Sequence, residues 1–160
     1  MARSKTIHKK ILEADPVHNS RTLTRFINKV MKDGKKSAAS TQVYRALEIL
    51  KEKFPEEESI KIFETVIQTI APKMEVRSRR VGGASYLVPA EVRGDRKVHL
   101  AMRWLIDAAR SKPNKEFHTF AEKLAAELID AKNGLGNAIK KRDQVLKMAE
   151  ANRAFAHLKW

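Results

Sequence analysis

Lys73-Met74-Glu75-Val76-Arg77-Ser78-Arg79-Arg80-Val81-Gly82-Gly83-Ala84-Ser85-Tyr86-Leu87-Val88-Pro89-Ala90-Glu91-Val92 interrupts a chain whose apolar residues otherwise recur with a helical period. From Lys73 to Val81 the side chains alternate loosely, and Ala84 to Val92 is rich in β-formers. Gly82-Gly83 supplies two adjacent positions that tolerate positive φ, as a two-residue hairpin loop requires. The stretch reads as a β-hairpin at about 73–92, with Pro89 near the end of the second strand, where a missing donor is tolerated. Strand geometry sends Arg77 and Arg79 to one face and Ser78 and Arg80 to the other. Three arginines in four residues, with planar forks that match phosphate oxygens, point to nucleic acid. The glycine tip lets a backbone or base come close. An exposed hairpin with solubilising arginines is the alternative that this stretch alone leaves open.

Helical patterns flank the hairpin on both sides. Leu23, Phe26, Ile27, Val30 and Met31 form one stripe, with Ser20 as N-cap and Asp33-Gly34 as the stop. A second helix is expected from Lys35 to Phe54 through Val43, Ala46, Leu47 and Leu50, and Pro55 ends it. Glu56, Glu57 and Glu58 suit the positive end of a third, with Ile60, Phe63, Ile67 and Ile70 buried and Pro72 closing it. After the hairpin come a stripe of Val98, Ala101, Met102, Leu105 and Ala109, broken at Lys112-Pro113-Asn114, and another of Phe117, Phe120, Ala121, Leu124 and Leu128. Asn133-Gly134 ends that one, and Leu135, Ala138, Ile139, Leu146 and Ala149 mark a last helix from about Gly136. The expected fold is mainly α: a six-helix, bundle-like domain over 20–160, with the hairpin protruding between helices 3 and 4. Residues 1–19 show no apolar period and read as a basic N-terminal arm.

Charge narrows the partner. Lys and Arg number 33 against 19 Asp and Glu, a net charge of +14 and a pI near 10.1. Residues 1–53 carry 13 basic and 5 acidic side chains, whereas residues 54–72 carry one Lys and four Glu. Residues 73–97 and 137–160 each net +4, while 98–136 net only +1. Charge spread for solubility alone has no reason to cluster so, and a polyanion is the natural counterpart. Lys32, Lys35 and Lys36 crowd one helix-helix corner, although a helix C-terminus favours cations through its dipole in any case. Lys140, Lys141 and Arg142 lie on the side of the last helix away from Ile139 and Leu146, with Lys147 and Arg153 further along.

Other classes are excluded or disfavoured. The chain has no cysteine, hence no disulfide and no thiolate metal site. Its basic start leads into no apolar run, and no stretch approaches the ~18 apolar residues of a spanning helix, so a cytoplasmic protein with no membrane partner is expected. The five His (8, 18, 99, 118 and 157) are scattered, and neither a phosphate loop nor a nucleophile elbow occurs. Gly134-Leu135-Gly136 reads as a helix break. No enzymatic activity, cofactor or metal is expected. Phe26, Phe54, Phe63, Phe117 and Phe120 fall on apolar stripes, leaving Trp104, Tyr86 and Trp160 as the candidates for base stacking. So few aromatics fit folded RNA read by shape and backbone better than a single-strand platform. A DNA-binding architectural protein and a scaffold for acidic proteins remain the competing classes.

The longer motifs carry a resemblance. Pro72 through Ala84, Val88-Pro89-Ala90-Glu91-Val92, Arg103-Trp104-Leu105 and Met148 through His157 resemble the signatures of bacterial ribosomal protein seven of the small subunit. Phe26-Ile27-Asn28 through Lys32-Asp33-Gly34-Lys35-Lys36 fits the family's first helix and turn. The likeness runs from about residue 15 to the end and departs at Val145-Leu146-Lys147 and Leu158-Lys159-Trp160. It implies a structural ribosomal protein that binds the 3′ major domain of small-subunit ribosomal RNA early and nucleates the subunit head. It further implies a place at the subunit interface near the decoding region, beside exit-site transfer RNA and ribosomal proteins nine and eleven. Some members repress their own messenger RNA, which adds it as an implied partner. The expected ribosomal RNA contacts are Arg3, Lys5, Lys9, Lys10, Lys32, Lys35, Lys36, Arg77, Arg79, Arg93, Arg96, Lys140, Lys141, Arg142 and Arg153. The tip, Arg80, Val81, Gly82, Gly83 and Ala84, is expected to face transfer RNA.

Overall fold

Ser20 starts the first helix by accepting the Leu23 amide on its hydroxyl, which in turn donates to Glu64 at 2.8 Å. A computed structural model describes residues 12–158. The helices are α1 (Arg21–Val30), α2 (Lys36–Lys53), α3 (Ser59–Ile70), α4 (Gly94–Ser111), α5 (Phe120–Lys132) and α6 (Asn137–Ala151). Between α3 and α4 lies the antiparallel hairpin, β1 (Met74–Val81) and β2 (Ala84–Glu91). A short 3-10 helix, Arg153–Leu158, follows α6 and was not expected from the sequence. No helix among these residues is long and apolar enough to cross a membrane.

The predicted stripes meet in one core. Leu23, Phe26 and Ile27 of α1 pack with Val43, Leu47 and Leu50 of α2, and the Phe26 and Phe63 rings meet edge to face at 5.1 Å. α5 is the hub and touches α2, α3, α4 and α6. That position explains two buried charges on it, Lys123 and Glu127. Lys123 donates to the Lys112 carbonyl and to Asn114. Glu127 accepts the Ala138 amide at the start of α6, and its second oxygen lies 3.2 Å from the Lys112 ammonium. That second contact is ionic, without hydrogen-bond geometry. Gly136, at φ +98°, passes so close that a Cβ there would stand 2.8 Å from Glu127 Oε1.

Several sequence expectations need correction. Phe117 is not in α5, because Thr119 and Glu122 form a capping box and the helix starts at Phe120. The Phe117 ring instead lies 5.7 Å from the Lys112 ammonium. Leu135 is 66% exposed in the turn between Gly134 and Gly136, since α6 begins only at Asn137. In α3 the buried face includes Ile62 and Val66, while Ile60 is only half-buried. α4 begins at Gly94, four residues ahead of Val98. Within the segment ahead of α1, residues 16–18 make a turn in which the Asn19 amide donates to the Asp15 carbonyl at 2.8 Å. Asp15 is buried, accepts the Val17 and His18 amides, and takes the Tyr44 hydroxyl at 2.7 Å. Burial and that bond push the Tyr44 phenol up to about 12.

Candidate nucleic-acid interface

The hairpin closes on Gly82 and Gly83, with φ +57° and +88°, between the paired residues Val81 and Ala84. Both glycines are fully open to solvent, with nothing within 4 Å of where a Cβ would stand. The register places Glu75, Arg77 and Arg79 on one face, opposite Ala90, Val88 and Tyr86. Arg80 is on the other, opposite Ser85. Val92 donates to Lys73 at 3.1 Å, so by alternation Pro89 sits in a non-bonded pair and its missing N–H interrupts nothing. Between its base and its tip the ribbon is covered by α6 and the 3-10 helix, and the Tyr86 and Phe155 rings meet at 5.3 Å only two residue pairs short of the tip pair Val81–Ala84.

At that base, β1 and the start of α4 enclose a cleft of about 1070 Å³ lined by Arg77, Arg79, Arg93 and Arg96 together with Glu91 and Asp95. The first residues of α4 line it, and no side chain of the N-cap residue Arg93 caps the helix, so the positive end of the helix dipole faces the same space. Glu75 orders the cleft. Its buried carboxylate accepts Arg77 Nε at 2.6 Å and Arg96 Nε at 2.8 Å, joining the ribbon to α4. Burial alone would push this carboxyl up, but hydrogen bonds and charge from Arg96 and then Arg77 outweigh it and hold the group below the ordinary range. Both guanidinium groups stay half exposed and keep donors for a phosphate.

The other expected contacts divide. Lys32, Lys35 and Lys36 are exposed around a tight corner where Asp33 (φ +53°) and Gly34 (φ +73°) both take the left-handed conformation. Lys140, Lys141 and Arg153 are exposed on α6 and just beyond it. Arg142 is not turned outward with them. Its side chain is only 24% exposed, donates to the Thr69 carbonyl at 2.8 Å, and pairs with Asp143 at 2.7 Å. It ties α6 to the C-terminal end of α3. Arg3, Lys5, Lys9, Lys10 and Trp160 lie outside the described residues. Tyr86 is engaged by Phe155, and Trp104 packs against the core, so neither stands as a free platform.

A second basic strip was missed. Arg25 and Lys29 on α1 face Arg96, His99, Arg103 and Arg110 on α4. Arg25 lies 3.6 Å from Asp95, and Arg110 donates to the Val30 carbonyl at the end of α1. Arg96 belongs to both the cleft and the strip, so the two run together. The signal was the i, i+3, i+7 spacing of Arg96, His99 and Arg103, which a search for adjacent cations passes over. Among the described residues no group of His, Asp and Glu is placed to hold a metal ion.

Residues 2–153 match the family described as ribosomal protein S7p/S5e. Proteins named small ribosomal subunit protein uS7 align over the full length of both chains. The one from Stenotrophomonas maltophilia (strain K279a) is 49% identical and that from Metamycoplasma arthritidis (strain 158L3-1) 51%. The counterpart from Streptococcus thermophilus (strain ATCC BAA-491 / LMD-9) is 48% identical. With a mainly helical fold, a basic hairpin between α3 and α4, and full-length identity near one half, the chain belongs to the ribosomal protein S7p/S5e family, whose members are RNA-binding structural components of the small ribosomal subunit and not enzymes.

Proposed function

We propose that the chain anchors on the 3′ major domain of small-subunit ribosomal RNA and nucleates assembly of the subunit head. The observation that carries this is the cleft at the ribbon base, where Glu75 presets Arg77 and Arg96 beside Arg79, Arg93 and the N-terminal end of α4. A groove with cations on both walls fits a ribose-phosphate backbone, and its donors suit RNA shape rather than base edges. Lys32, Lys35, Lys36, Lys140, Lys141 and Arg153 extend the contact to neighbouring phosphates. The arm cations Arg3, Lys5, Lys9 and Lys10 join them in this reading. Arg142 contributes by holding α6 in place.

The ribbon tip, Arg80 to Ala84, faces exit-site transfer RNA near the decoding region at the subunit interface. Ribosomal proteins nine and eleven are its neighbours in the head, and its own messenger RNA is a further ligand where it mimics the ribosomal site. The exposure of the tip supports this assignment, because its removal sacrifices little burial.

Hydroxyl-radical footprinting on deproteinised small-subunit RNA, with a matched DNA duplex as competitor, tests the anchor. Protection confined to the 3′ major domain and resistant to DNA is expected. Protection scattered over all domains, or equal competition by DNA, would return the chain to a general polyanion binder. Deleting residues 80–84 and closing the ribbon with a tight turn should leave assembly intact and alter retention of exit-site transfer RNA. Lost assembly with normal retention would reverse the two assignments.

A further inference from the structure

Lys29 of α1 places its ammonium 2.7 Å from Nδ1 of His99 on α4. An ammonium only donates, so Nδ1 is the acceptor and the imidazole is neutral, with its proton on Nε2. The groups facing this ring are Arg25 and Lys29 from α1, and Asp95, Arg96 and Arg103 from α4. Asp95 lies 3.6 Å from Arg25, and Asp107 lies 3.7 Å from Arg103, so both carboxylates of this face are drawn to arginines. Lys29 and His99 are left donating and accepting between themselves, amid positive charge. Clefts of about 350 and 280 Å³ flank Lys29 on its two sides, room enough for a phosphate group. Burial, then the charges of Lys29, Arg96 and Arg103, hold His99 below its ordinary value. Lys29 is lowered too, by burial and by Arg103.

We propose that Lys29, His99 and Arg103 form a phosphate site that takes up one proton as it fills. The oxyanion draws the Lys29 ammonium onto itself, which frees Nδ1. That nitrogen then takes a proton from the buffer, and the imidazolium donates to the phosphate. One N–H bond forms at Nδ1 as the bond to that proton in the buffer acid breaks, and no covalent bond of the protein or the phosphate is broken. The site rests on the RNA reading above and adds the proton as a second ligand of the same complex. The sign follows from linkage: the bound state holds the His99 proton more tightly than the free state. Affinity therefore rises as pH falls from above neutrality, by at most about tenfold per pH unit, and levels off once the free protein is protonated as well.

The test is calorimetric titration of the full chain into the 3′ major domain transcript near neutral pH, in two buffers of different protonation heat. Wild-type protein should take up about one proton more than His99→Gln, which removes an exposed ring and keeps the fold. In parallel, the His99 ring nitrogens of the wild-type protein are followed by NMR during a pH titration with and without sodium tripolyphosphate. The polyphosphate should move the ring's titration to higher pH. Transcript binding with equal proton uptake in both proteins would overturn this site and leave the RNA reading standing. No transcript binding, with the ring still shifted by tripolyphosphate, would uphold the site and overturn the RNA reading. An unshifted ring together with equal uptake rejects the proposal outright.

Discussion

Replacing Glu75 by glutamine keeps the shape of the side chain and removes the charge that holds Arg77 and Arg96. In the native protein the carboxylate makes charge-assisted contacts of 2.6 and 2.8 Å to two guanidinium groups whose side chains are each 51% exposed. Fully buried bonds of this kind contribute about 1.5–3 kcal/mol each, but half-exposed partners rehydrate on release, so about 1 kcal/mol apiece is a fair share. Glutamine retains one acceptor, which leaves a stability loss of about 1–2 kcal/mol and a fall in Tm of roughly 2–8 °C for a chain of this size. For RNA two effects oppose. Ordering two arginines at the moment of binding costs about 0.5–1.5 kcal/mol each, or about 2 kcal/mol together. Deleting a negative charge about 7 Å from a phosphate returns about 0.6 kcal/mol in water. The net, about 1.4 kcal/mol, is roughly a tenfold weaker complex. Filter binding of the head-domain transcript, with urea melts of the free protein, measures both. The carboxyl is also held below the ordinary glutamate value of 4.5, so its stabilisation is complete above that pH and is lost as pH falls through the folded value. The variant should therefore lose less stability than the native protein on acidification. Unchanged affinity and unchanged melting would show that Glu75 organises nothing.

The remaining predictions use other parts of the surface and core. Lys35→Ala with Lys36→Ala should change stability by under about 0.5 kcal/mol and lower the log-log salt slope of RNA binding by about 0.7–0.9 for each phosphate left without its lysine. An unaltered slope would make the corner a solvated one. Gly134→Ala should cost about 1 kcal/mol for its left-handed φ alone, whereas Gly136→Ala should cost about 3 kcal/mol because its Cβ also displaces Glu127 from the Ala138 amide. Equal urea midpoints for the two variants would contradict that account. Arg142→Ala should destabilise by about 1–2 kcal/mol by removing the hydrogen bond to the Thr69 carbonyl while RNA affinity per folded molecule changes little, and the reverse pattern would return Arg142 to the RNA face.

The elements of this fold were legible because their causes are local. A helix needs its apolar residues three and four apart, and a tight hairpin needs two residues in a row that accept positive φ. Ser20, Gly82-Gly83 and the stripe from Leu23 to Val30 each announce themselves within a few positions, whereas α1 stops at Val30, with Met31 at φ −52°, ahead of the expected Asp33-Gly34. The missed boundary before Phe120 was local as well, since Thr119 and Glu122 spell a capping box. The character of individual cations was not legible in this way. Arg142 looks like part of an outward basic run until Thr69, 73 residues away, is found against it. His99 looks solitary until α1 brings Lys29 across 70 residues, and Glu75 acquires Arg96 only when the ribbon folds back on α4. Sequence determines which residues carry charge and which backbone turns are open to them. Whether a charge faces solvent, a carbonyl or another cation depends on which helices pack together, and only the tertiary structure decides that.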